Sequence, residues 1–256
     1  MKSFDLRVND DFMTEFAAVL DEQLAGAPDR PGSLFLTGGS QAHAVYPHLA
    51  GMLGSPSRAG TRLYLGDERV VAIGHPDSNT SLVSGLTQGD PANGGLEIAT
   101  PAKYFTPALT DPSPGLSSQA VPDLTAVQRR LLSDVLDNYG ALIEPSPRPR
   151  IVHLGLGPDG HIASIFPQLT DLGLSRNTCQ VSWDLSGLNH HLRISLTMSF
   201  INDSEAVVLG FAGTQKGALL RRILESPSSY PAGLLEPQKL VILVDRDAAG
   251  AIGEQN

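Results

Sequence analysis

Short, nearly continuous apolar runs alternate with helix-period segments along most of this chain, and that alternation limits the possible folds more than any other feature. Strand-length runs fall at 33–36, 61–65, 151–154, 180–185, 193–198, 206–211 and 240–244. Helical periodicity covers 11–25, where Phe12, Phe16, Val19, Leu20 and Leu24 recur at threes and fours, and returns at 41–53, 123–142 and 215–224. Strands that are apolar on both faces must be covered on both faces, so the expected fold is α/β, with a mainly parallel sheet between helices. The pattern places a single helix ahead of the first sheet strand. No internal repeat or low-complexity linker divides the chain, which reads as a single domain over 1–256.

Composition narrows the function classes. A hydrophobic share of 41% and a charged share of 18% are ordinary for a globular protein of 256 residues. The net charge of −9 disfavours binding to a phosphate backbone, and the 5% aromatic share disfavours a stacking platform, so no nucleic-acid partner is expected. No apolar run reaches membrane-spanning length, and acidic residues stand where a signal peptide needs an apolar core. A cytoplasmic protein without a membrane partner is the expectation, as a monomer or weak homo-oligomer. The lone Cys179 excludes an internal disulfide and a multi-cysteine metal site, and reads as a small buried hydrophobe. The glycine- and proline-rich stretch 85–122 reads as loops around at most one short strand near 96–99, a candidate lid.

The chemistry concentrates where strands end. The run 151–154 feeds GLGPDGHIASIFP, which sets His161 on a glycine-rich turn, with Asp159 and Ser164 nearby as orienting groups. Gly155, Gly157 and Gly160 also satisfy the G-x-G-x-x-G spacing, with Asp184 beyond them. The segment before Pro167 is too short for the crossover helix of a dinucleotide site, so these glycines are read as letting backbone approach a small ligand. Thr37, Gly38, Gly39 and Ser40 make a turn into a helix, suited either to a phosphate or to simple capping. Asp67, Glu68 and Arg69 close another strand, and His75 with 77–79 makes a polar turn. Arg193 and Lys216 are cations that an anionic ligand needs in an acidic protein.

Taken together, TGGS at 37–40, DERVVAIGHPDSN at 67–79, GLGPDGHIASIFP at 155–167, RISLT at 193–197 with IND at 201–203, and GTQKG at 213–217 resemble the glucosamine-6-phosphate isomerase/6-phosphogluconolactonase superfamily, on its lactonase side. The resemblance implies a Rossmann-like sheet and hydrolysis of a sugar-phosphate lactone in the pentose phosphate pathway, without metal or cofactor. It implies His161 as general base, and Arg69 with the amides of the 155–160 turn as oxyanion donors. Asp67 would orient Arg69 or a sugar hydroxyl, and Asp159 completes the catalytic set. Gly38, Gly39, Ser40, Gly157, Arg193 and Lys216 would bind substrate and its phosphate. Thr37, Ala72 and Ile162 depart from the usual serine, proline and threonine, and the lead-in GLNHHL lacks the usual prolines. His190 and His191 are not read as a metal pair, because adjacent strand side chains point to opposite faces.

Two rival functions follow from the same pattern. A deaminase would carry glutamate before the final proline of the central motif and tyrosine in place of Arg69, whereas this chain has Phe166 and Arg69. A non-catalytic sugar-phosphate sensor would lack the histidine and would usually carry a DNA-binding appendage.

Overall fold

The computed structural model describes residues 3–25, 32–53, 55, 58, 60–84, 98–110, 122–168, 172–186 and 190–253. Ten strands are seen among them: β1 (Asp5–Val8), β2 (Ser33–Leu36), β3 (Arg62–Leu65), β4 (Asp67–Arg69), β5 (Ile98–Ala99), β6 (Arg150–Gly155), β7 (Cys179–Ser182), β8 (Arg193–Leu196), β9 (Ala206–Phe211) and β10 (Lys239–Val244). The helices are α1 (Phe12–Ala25), α2 (Ser40–Leu53), α3 (Asn79–Ser84), α4 (Pro107–Thr110), α5 (Ala126–Ile143), α6 (Met198–Asn202), α7 (Thr214–Glu225) and α8 (Arg246–Gly253).

Seven strands pair in parallel in the order β1-β10-β9-β6-β2-β3-β5. Alternate side chains feed two separate cores, as a period of two demands. Leu34, Leu36, Leu63, Leu65, Val208 and Leu243 face α1 and α2, whereas Phe35, Tyr64, Val152, Leu154, Leu209 and Ile242 face α5, α6, α7 and α8. The helix α5 starts on a capping box, in which the Thr125 hydroxyl accepts from the Gln128 amide and the Gln128 side chain returns to the Thr125 amide.

The structure corrects the sequence reading in three places. β1 precedes α1, so the helix is not the first element. Its sequence DLRV is short and mostly exposed, and it is recruited by one backbone ladder to β10 at the sheet edge, which leaves no apolar signature. β7 and β8 do not join the parallel sheet: with β4 they form a separate antiparallel sheet. The chain leaves β3 through Gly66, whose carbonyl accepts from the Leu196 amide, and so passes directly from one sheet to the other. His190 and His191 lie ahead of β8 and not on a strand.

Most of the 85–122 stretch, and with it the lid, lies outside the described residues. The part that is described holds β5, a 3-10 turn at Pro101–Tyr104 and α4. Among the described residues, no helix is long and apolar enough to cross a membrane.

Candidate active site

The chain builds outward from β2 through β3 to β5, then returns to β6 and proceeds through β9 to β10. β2 and β6 therefore flank the point where the strand order reverses, and a crevice opens beyond their carboxyl ends. The cleft found there is lined from the 37–39 turn after β2, from β4, from the turn after β6, from β8 and from the start of α7. Its volume of about 240 Å³ suits one small polar ligand better than a dinucleotide.

His161 sits on the turn after β6. Its Nδ1 lies 2.5 Å from Asp159 Oδ1, and its backbone amide donates to the same oxygen at 3.2 Å. A carboxylate at Nδ1 selects the tautomer that carries the proton there, which leaves Nε2 as the free acceptor. Burial opposes ionisation of Asp159, but the hydrogen bonds and charge of His161 outweigh it and hold the carboxyl below its ordinary range. The turn is closed by its own backbone: Gly157 donates to the His161 carbonyl at 2.9 Å and Gly160 to the Gly157 carbonyl at 3.1 Å. These two amides are therefore spent, which removes them as oxyanion donors. Gly157 is required by packing, since a Cβ there would stand 2.2 Å from the imidazole.

Of the two roles expected of Asp67, to orient Arg69 or a sugar hydroxyl, the structure removes the first. Its carboxylate is buried, accepts from Thr37 Oγ1 at 3.1 Å and from Ser164 Oγ at 2.8 Å, and stands 3.8 Å from Arg193 Nη1. It thereby ties the 37–39 turn, the 155–167 segment and β8 to one point. Ser164 is fully buried and committed to Asp67, so it is neither a partner of His161 nor an available nucleophile.

Arg69 is held instead by Asn79 Oδ1 at 2.8 Å and the Asp77 carbonyl at 2.7 Å. Its Nε is buried and has no partner among the described residues. Asn79, in sequence only part of a polar turn, is buried, lines the cleft and donates to the Asp67 carbonyl at 2.9 Å. Glu68 organises that turn from beneath, accepting from the amides of Arg69, Asn79 and Thr80 and from the hydroxyls of Ser78 and Thr80. Burial raises the Glu68 carboxyl above its ordinary value despite those bonds. The signal for both residues was present in DER…DSN, but only their contact across eleven positions shows which side chain serves which.

The cleft is cationic although the chain is acidic. Arg193 is pulled down to about 10 by burial and by the charge of Arg69, while Asp67, Asp184 and Glu68 oppose that shift. Burial alone lowers Lys216, and no carboxylate pairs with it among the described residues. Three cations facing one cleft repel one another, and an entering anion relieves that repulsion. Gly38 and Gly39 line the same cleft, and no acceptor among the described residues takes either amide. Ser40 starts α2, but its side chain lies outside the described part of the structure.

His191 reaches Asp77 Oδ2 at 3.0 Å on the rim, and no group of three metal-ligating side chains is found among the described residues. Asp184 accepts from the Ser186 amide at 2.8 Å and is buried, so it is not placed to read a ribose. Cys179 is buried, and burial pushes its thiol up to about 11, which suits the inert role expected of it.

A family model described as glucosamine-6-phosphate isomerases/6-phosphogluconolactonase matches residues 7–244. A 6-phosphogluconolactonase of Synechocystis is 27% identical over 223 residues, spanning 85% of this chain and 83% of that protein. A 6-phosphogluconolactonase of Streptomyces coelicolor is 30% identical over 205 residues, spanning 78% and 73%. Among solved structures, the 6-phosphogluconolactonase of Trypanosoma brucei matches in fold with a TM-score of 0.74 at 19% identity, over 99% of this chain and all 100% of that one. With the fold, the cleft and the matched span in agreement, the chain belongs to the family of glucosamine-6-phosphate isomerases and 6-phosphogluconolactonases.

Proposed function

We propose that this chain hydrolyses 6-phospho-D-glucono-1,5-lactone to 6-phospho-D-gluconate, with His161 as general base. The observation that carries the reading is an imidazole fixed through Nδ1 by Asp159 on the wall of a small cleft that also holds Arg69, Arg193 and Lys216. The names of the relatives support the substrate.

In this reading Nε2 of His161 takes a proton from water as the water oxygen bonds to the lactone carbonyl carbon. Negative charge then develops on the carbonyl oxygen, and Arg69, which lines the cleft, serves as the donor to it. When the bond to the ring oxygen breaks, the proton held on Nε2 passes to that oxygen, and the new carboxylic acid ionises. Arg193, Lys216 and the amides of Gly38 and Gly39 hold the phosphate, so that binding of a remote group positions the carbonyl.

A deaminase in the same family needs an acid where this chain has Phe166. That residue is buried, with its ring centroid 5.1 Å from that of His161, so no carboxylate reaches the sugar from that position.

The test is hydrolysis of freshly generated lactone, with spontaneous opening subtracted, for the wild type and His161→Ala. A wild-type rate that falls about 10²–10⁴-fold in a folded variant supports the reading. Activity that survives the substitution removes His161 as base, and a wild type that binds 6-phosphogluconate without turning over lactone favours a sensor.

A further inference from the structure

Beneath the 37–39 turn lies a buried pair of side chains that the reaction itself does not use. Ala42, Val45, Tyr46, Leu49 and Leu53 form the inner face of α2, and Tyr46 places its hydroxyl under the turn that begins the helix. That hydroxyl donates to the Thr37 carbonyl at 2.5 Å, accepts from the Thr37 amide at 2.9 Å, and lies 3.2 Å from Nδ1 of His153 on β6.

The protons in this cluster are fully assigned by counting. A hydroxyl has one proton, and the Thr37 carbonyl takes it, so His153 Nδ1 must be the donor in its contact with Tyr46. Burial pushes His153 down to about 3, so the ring is neutral and keeps that single tautomer, packed against Phe16 at 4.5 Å. The Tyr46 hydroxyl is also strongly disfavoured as an anion by burial. With Thr37 Oγ1 donating to Asp67, every polar group of Thr37 is tied down.

This anchoring has a directional consequence. The Thr37 carbonyl and the Gly38 amide share one planar trans peptide, so they point in opposite directions. Fixing the carbonyl down toward Tyr46 fixes the Gly38 N–H up, and Gly38 borders the cleft with no acceptor for that amide among the described residues. On its other side Gly38 abuts Asn79 so closely that a Cβ would stand 1.9 Å from Asn79 Oδ1, which prevents the turn from tilting away.

We infer that Tyr46, set by His153, is a positioning residue that aims the Gly38 amide into the cleft to hold the phosphate of the substrate. The inference rests on the lactonase reading for its substrate, but its chemistry needs only a phosphate.

Tyr46→Phe tests it. The expected result is a KM for the phosphorylated lactone raised about tenfold, an inhibition constant for inorganic phosphate raised by a similar factor, and a kcat within about threefold of wild type, as loss of one aimed hydrogen bond to an anion implies. A variant that loses kcat while KM and phosphate inhibition stay at wild-type values overturns the inference, because a merely structural role would give that pattern. If Tyr46→Phe does not fold, the amide resonance of Gly38 in the wild type decides the matter during titration with inorganic phosphate. A downfield displacement of its proton is expected, and a Gly38 signal that stays still across the titration overturns the inference. A wild type without lactonase activity would sink the proposed function alone, since the phosphate titration does not depend on turnover.

Discussion

The turns after β2 and β6 start from the same material, a buried parallel strand running into glycines at the switch point, and they end with opposite uses. After β6 the backbone closes on itself: Gly157 and Gly160 spend their amides inside the turn, and the product is a rigid platform that presents one side chain, His161. After β2 the contacts are made from below, by Tyr46 and Asp67 on Thr37, and no acceptor among the described residues takes the amides of Gly38 and Gly39, which line the cleft. What a glycine turn offers a ligand is decided by which groups take its amides, not by its glycine content. In the proposed reaction one turn supplies a titratable group for chemistry, and the other supplies fixed dipoles for an anion.

If the two turns divide labour in this way, Gly157→Ala should show it most strongly. The new Cβ would meet the imidazole at 2.2 Å and drive it off Asp159, so kcat should fall about 10²–10⁴-fold in a protein that still folds, with its thermal midpoint lowered by a few degrees through the lost pairing. A kcat near wild type would mean that the fixed position of His161 is unimportant. Lys216→Met probes the other half. Removing a half-buried cation from the phosphate end should raise KM about 10–100-fold, with a much smaller change in kcat. A large loss of kcat with unchanged KM would instead put Lys216 at the reacting carbonyl and dissolve the division.

The smallest effect concerns the support of His161. The Asp159 carboxyl is held below its unfolded value, so its contribution to stability is complete above the ordinary carboxylate range and is lost as pH falls through the folded value. Wild type should therefore exceed Asp159→Asn in thermal midpoint by a few degrees at neutral pH, and the gap should close below about pH 4. A gap that widens on acidification would reverse the sign and break the assigned pairing.

Much of this was legible in the sequence for a specific reason. Parallel strands buried on both faces must be apolar throughout, so β2, β3, β6, β9 and β10 announce themselves, and groups that follow the carboxyl ends of β2, β3, β6 and β9 line the cleft. His161, Asp159, Arg69 and Lys216 stand out that way, whereas Arg193 opens β8 of the antiparallel sheet and stands out only as a cation. β1 was not legible, because an edge strand held by one ladder needs few apolar side chains. Nor was β4, a three-residue segment whose partner β8 lies more than a hundred positions away.

What the sequence determined by itself is the alternation of strands and helices and the chemical identity of the groups at the strand ends, since both depend on local residue type and spacing. The tertiary structure alone decided how those groups are used. Asp67 serves Thr37, Ser164 and Arg193 and leaves Arg69 to Asn79, the amides of Gly157 and Gly160 turn inward, and Tyr46 meets Thr37 under the cleft floor. Hydrogen bonds depend on direction and on a separation of about 3 Å, and for groups so far apart in the chain only the packed fold sets either.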